Sequence, residues 1–113
     1  MQVSDAKHDG ARARLAAGVA AYALGVRPEA ILMPTRGSPA TAHARHVAMY
    51  LCHVAMGMSL SRIARVFERD RSTVAHGCHL IEDRRDEGDF DAWIERLEQG
   101  LAELADTALA CAA

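Results

Sequence analysis

Ser59-Leu60-Ser61-Arg62-Ile63-Ala64-Arg65-Val66-Phe67, then Glu68-Arg69-Asp70, then Arg71-Ser72-Thr73-Val74-Ala75-His76-Gly77-Cys78 is the stretch on which the reading of this chain turns. Ser59 stands where a helix takes its N-cap. Leu60, Ile63 and Phe67 follow at i, i+3 and i+7, which is one face of a helix, while Arg62 and Arg65 point the other way. Glu68 to Asp70 breaks the pattern. A second helix then starts at about Arg71 or Ser72 and runs to Arg84. Val74, Cys78 and Ile81 form its buried face, and Ser72, Thr73, His76 and His79 its open face. Two short helices joined by a few residues, the second small and polar outside, make a helix-turn-helix spanning about 59–84.

Outward from this stretch the chain reads as helical throughout. A first helix is expected over 10–24, capped by Asp9, with Leu15, Val19, Tyr22 and Ala23 on its apolar face and Gly25 as its stop. Pro28–Leu32 reads as a single helical turn with proline at its first position. Residues 33–40 hold Pro34, Gly37, Ser38 and Pro39 and read as a loop with Arg36 exposed at its middle. A long helix over about 41–56 buries Val47, Tyr50, Leu51 and Val54. Past a polar link at 86–91, a last helix over about 90–109 carries Phe90, Trp93, Ile94, Leu97, Leu101, Leu104 and Leu109 on one stripe. No window alternates long enough for a strand. The expectation is a single all-α domain over 10–109 behind a flexible segment over 1–9.

The chain has 113 residues and 50% hydrophobic content but only 4% aromatics, so Ala, Leu, Val, Ile and Met must build the core. The net charge of -2 hides a polarity: residues 1–81 hold ten Lys+Arg against five Asp+Glu, and residues 82–113 hold three against ten. The basic part can meet phosphate, and the acidic face of the last helix should lie away from it. Cys52, Cys78 and Cys111 form no CxxC pair, and Cys52 and Cys78 fall on apolar faces, which suits a reducing cytoplasm. Residues 1–10 are polar and mixed in charge, unlike a signal peptide, and no apolar run approaches the length of a membrane span.

The first turn of the second helix offers a chemistry of its own. Asp70, Arg71, Ser72 and Thr73 supply an acceptor for a cytosine amino group, a bidentate donor, two hydroxyls and a methyl for thymine. The helix N-terminus adds free N–H groups for phosphate. His43 and His46, with His76, Cys78 and His79, lack the CxxC or HExxH spacing of a zinc site, so no metal is expected. Cys78 beside His76 and His79 lacks an orienting partner and an oxyanion site, so no catalysis is expected either.

The segments Ala44-Arg45-His46-Val47-Ala48-Met49-Tyr50-Leu51, Ser59 to Phe67, and Arg69 to Cys78 resemble the C-terminal DNA-binding domain of the bacterial replication initiator DnaA. That family shows A-R-x-x-A-M-Y-L, S-L-x-x-I-G-x-x-F and R-D-H-T-T-V-x-H-A. The resemblance covers roughly residues 10–105 and implies a Trp-repressor-like helical fold that binds double-stranded DNA. It assigns base contacts to Asp70, Arg71, Ser72, Thr73 and His76. Arg45 and His46 match positions that hold phosphate, and Arg36 matches the loop arginine that enters the minor groove. Arg62, Arg65 and Arg69 join the expected phosphate-facing set.

The departures bear on the target. The family histidine after Asp is Arg71 here, and its first threonine is Ser72. The paired glycines before Arg-Asp are shortened to Glu68, and the basic loop keeps only Arg36. No G-x-x-x-x-G-K-[ST] loop is present, so neither nucleotide nor any other cofactor is expected. Trp93, Leu97, Leu101 and Leu104 are the candidate surface for a protein partner or a second copy. The expected roles are a small cytoplasmic, nucleoid-associated transcription regulator, a replication-control factor competing for initiator sites, or an interaction module that has lost DNA binding.

Overall fold

The computed structural model describes residues 7–34 and 37–112, with side chains through Thr107. Among the described residues six helices follow one another: α1 Asp9–Leu24, α2 Pro28–Leu32, α3 Pro39–Val54, α4 Leu60–Phe67, α5 Arg71–Arg84 and α6 Gly88–Ala112. No strand occurs among the described residues. The expected flexible segment lies, over 1–6, outside them. So do Arg36 and the side chain of Leu109.

The middle of the fold is α3. It buries Ala44, Val47, Ala48, Met49, Tyr50, Leu51 and Cys52, so nearly its whole circumference is covered. Ser38 caps it, its hydroxyl accepting from the Thr41 amide at 3.1 Å, and Pro39 fills the first turn. The helix therefore starts two residues before the expected position and stops at Val54, which is half exposed.

Helix α1 packs differently from the expectation. Its buried face is Ala13, Ala16, Ala17, Ala20 and Ala21, while Leu15 and Val19 are half-buried and Tyr22 is 93% exposed. Small residues let α1 lie close against α3, so the alanines, rather than the larger side chains, meet the core. Asp9 is also no cap: it is the first helical residue, and the N-cap is His8. Asp9 is 4% exposed, and its carboxylate accepts both a forked pair of hydrogen bonds from Arg62 of α4 and one from Arg12. The Arg62 hydrogen bonds hold the Asp9 carboxyl below its usual range against the opposing effect of burial. Gly25 ends α1 at φ 71, as its position in the sequence implies.

Helices α4 and α5 meet through a left-handed turn at Glu68, φ 54. The Glu68 amide donates to Ala64 and Arg65 carbonyls, and the Arg69 amide donates to Ala64 at 2.9 Å. That is a Schellman closure made without glycine. A non-glycine residue there is strained by contact of Cβ with the following carbonyl. Glu68→Gly is therefore expected to stabilise the protein by about 0.5–1 kcal/mol, read as a higher Tm in thermal unfolding. An unchanged or lower Tm would refute the strain.

At the other end of α5, Arg85 fastens α6. Its guanidinium donates to Asp91 (2.6 Å), Glu98 (2.7 Å) and the Tyr50 hydroxyl (3.0 Å), and that hydroxyl donates to Glu82. Phe90, Ile94 and Leu101 of α6 are buried in the core, with Trp93 packed on Phe90 at 5.5 Å. Leu101 is 0% exposed, which corrects its assignment to a partner surface: it faces inward, in register with Ile94. Leu104, 51% exposed, faces out, and Leu97 is half-buried.

Candidate nucleic-acid interface

The first turn of α5 projects from the molecule. Asp70, Arg71, Ser72, Thr73 and His76 are all exposed. Asp70 is the N-cap by position, with extended backbone, but its side chain makes no capping hydrogen bond. The first amides of α5 thus receive no cap from the Asp70 side chain, and they form the positive end of the helix dipole. Arg71 is in no ion pair among the described residues.

Below this tip lies a cleft of about 720 Å³ lined by Gly37, Ser38, Pro39, Ala42, His46, Ser72, Thr73 and His76. One wall is the first turn of α5 and the other is the start of α3. Two helix N-termini therefore border the same space. No residue of the acidic α6 lines it.

The arginines divide by what the fold gives them. Arg45 is 5% exposed, and its guanidinium donates to the carbonyls of Ile31 (2.7 Å), Ala30 (2.9 Å) and Met33 (3.4 Å). These are carbonyls at the end of α2, which have no helical partner of their own. Arg62 reaches Asp9, and Arg69 donates to Phe67 (2.8 Å) and Met33 (3.0 Å). Arg65 is exposed and in no ion pair among the described residues. All four are expected at phosphate from the sequence, Arg45 through the family resemblance. The structure engages Arg45, Arg62 and Arg69 in holding α2, α1 and the turn.

His46 lies at the floor of the cleft, half-buried. Burial, then His43, His76 and Arg45, lower its pKa, and burial and Arg84 lower that of His43. Both imidazoles are thus neutral in the fold at pH values where the unfolded chain protonates them. Unfolding takes up protons below the ordinary value of 6.5, so stability is lost as the pH is lowered through that range. The Tm is expected to decline from pH 7.5 to 5.5, and His46→Gln is expected to flatten that slope. An equal slope in the variant would refute the assignment.

Cys52 and Cys78 are buried thiols, pushed by burial up to about 12 and 11, so neither is an activated nucleophile. No group of three or more His, Cys, Asp or Glu among the described residues could hold a metal ion. No helix among them is long and apolar enough to cross a membrane.

One contact went unread in the sequence. Gly77, in the middle of α5, is buried directly over the imidazole of His46. The cue in the sequence is a glycine inside a helical pattern, a residue that weakens a helix interior relative to alanine.

Two helices joined through a left-handed turn, the second presenting an exposed polar tip, define a helix-turn-helix protein. Residues 15–81 match the family model described as the bacterial dnaA protein helix-turn-helix. The chain belongs to this family. It is 33% identical over 84 residues to chromosomal replication initiator protein DnaA 1 of Chlamydia trachomatis serovar D, covering 74% of this chain and 18% of that protein. It is 39% identical over 74 residues to DnaA 2 of Chlamydia caviae, covering 66% and 16%. A crystal structure of a DNA replication initiation factor superposes with TM-score 0.76 at 30% identity, over 86% of this chain and 30% of that one. A replication initiator DnaA bound to AMPPCP and single-stranded DNA superposes with TM-score 0.74 at 28% identity. The chain thus spans less than a fifth of the length of these curated relatives.

Proposed function

We propose that this chain binds double-stranded DNA with sequence preference by seating α5 in the major groove. The observation that carries this is the tip of α5: Asp70, Arg71, Ser72 and Thr73 stand exposed at a helix N-terminus without internal capping. Their donors, acceptors and methyl group match base edges, and the free amides suit a phosphate. Arg65 and His76 extend the same interface. Membership of a DnaA helix-turn-helix family supports the reading.

The test is duplex binding across a salt series, using a site selected from a random pool and a scrambled control. Binding to the selected duplex should be tighter, with log K falling by about 0.9 per log unit of salt for each phosphate contact. Absence of binding at low salt, or affinity indifferent to salt, would leave only an interaction module with this fold.

Reading a DNA site serves two cellular roles. As a transcription regulator the protein would act with a partner protein, and as a replication-control factor it would compete for initiator sites. Both place it on the nucleoid. Occupancy across the genome separates them, since the first predicts peaks at promoters and the second a peak at the origin.

A further inference from the structure

We propose that His46 and Gly77 form a matched seat that fixes the height of α5 over α3 and so aims the base-reading tip. The aiming part rests on the DNA-reading function proposed above. A Cβ built on Gly77 would lie 2.8 Å from His46 Cδ2, 3.3 Å from His46 Cγ and 3.1 Å from Met49 Cε. The methionine methyl is the end of a flexible chain and can move aside. The imidazole is a rigid ring close to its own backbone on a buried helix, and two of its atoms crowd the same point. A Cβ at 77 therefore forces the ring or the helix to shift, and the glycine is what lets α5 settle this close to it.

The position of this contact gives it leverage. Thr73 lies one turn before Gly77 on the same side of α5. Thr73, Ser72 and His76 border the cleft whose floor includes His46. Val74, Cys78 and Ile81 bury the rest of that face. A wedge under residue 77 tilts the helix about its anchored C-terminal half. The tip, some six residues away at about 1.5 Å per residue, moves furthest.

The test is Gly77→Ala placed in two backgrounds, unaltered and His46→Ala. Alanine is the better helix former, so without a clash it raises stability. With the ring present, Gly77→Ala is expected to lower Tm by about 5 °C, and with the ring removed to raise it. The same sign in both backgrounds would overturn the seat, whether or not the protein binds DNA.

Aiming is read below the Tm of every variant as the ratio of affinities for selected and scrambled duplexes. Gly77→Ala is expected to lower that ratio about tenfold in the unaltered background and by less than twofold in the His46→Ala background. A merely structural defect would not change the ratio in folded protein. A reversal in Tm with an unchanged ratio would overturn the aiming role. If the unaltered protein binds no duplex, the proposed function fails and the aiming role with it, while the two Tm values still decide the seat.

Discussion

Arg45→Met is expected to destabilise the protein by about 3–5 kcal/mol, because it strips a buried charge-assisted donor from three carbonyls at once. The arginine is 5% exposed and donates to Ile31, Ala30 and Met33. Those carbonyls end a five-residue helix that is too short to satisfy itself. Methionine fills much of the same volume, so the loss reports the hydrogen bonds more than a cavity. Burial and the neighbouring Arg69 lower the Arg45 pKa, which marks the site as costly for charge and its removal as unlike the loss of a solvated cation. In a domain of this size the Tm should fall by roughly 10–20 °C.

The same variant tests whether Arg45 holds phosphate, as its match to the family pattern implied. A phosphate contact contributes about -0.9 to the slope of log K against log salt. Measured below the Tm of both proteins, Arg45→Met should leave that slope within error of the unaltered protein. Arg65→Ala should reduce it while leaving Tm nearly unchanged, because Arg65 is exposed and in no ion pair among the described residues. A slope reduced by Arg45→Met with Tm unchanged would return Arg45 to the interface.

The helix-turn-helix was legible because its cues are local. A serine cap, apolar residues at i, i+3 and i+7, and a polar tip all lie within one stretch of sequence. The face of α1 was not legible, since an alanine-rich helix has apolar residues on every side. There the tightest approach to α3 decides, and it selects the alanines over Tyr22. The tasks of the arginines depend on contacts distant in sequence. Arg62 meets Asp9 across 53 residues and Arg69 meets Met33 across 36. Nothing in local spacing separates them from Arg65. Along α6 the stripe was right but its depth was not: Leu101 is wholly inside, whereas Leu104 continues past the core. Leu97 and Leu104 border a groove of about 390 Å³ with Leu15, Val19 and Tyr22 of α1. The residues taken from the sequence as one partner surface are thus split between core and groove.

Arg71→Ala is expected to weaken binding to the selected duplex by about 1–3 kcal/mol, roughly five- to 150-fold, with little change on scrambled DNA. Arg71 is the first residue of α5, exposed, beside the uncapped Asp70. At that place a guanidinium can fork onto the O6 and N7 of a guanine, and it stands where the family pattern has histidine. A phosphate contact from the same position would look different. It would weaken both duplexes alike and lower the salt slope by about one unit. Arg71→Lys separates the two further. Lysine keeps the charge but lacks the planar fork, so it restores a phosphate contact and fails to restore a bidentate base contact. Discrimination lost in both variants, at a slope close to the original, would make Arg71 a base-reading residue. Recovery of discrimination with lysine would show that only the charge was needed. Because the substitution is on the surface, stability should stay within about 0.5 kcal/mol of the starting protein, so the affinity change reports recognition and not folding.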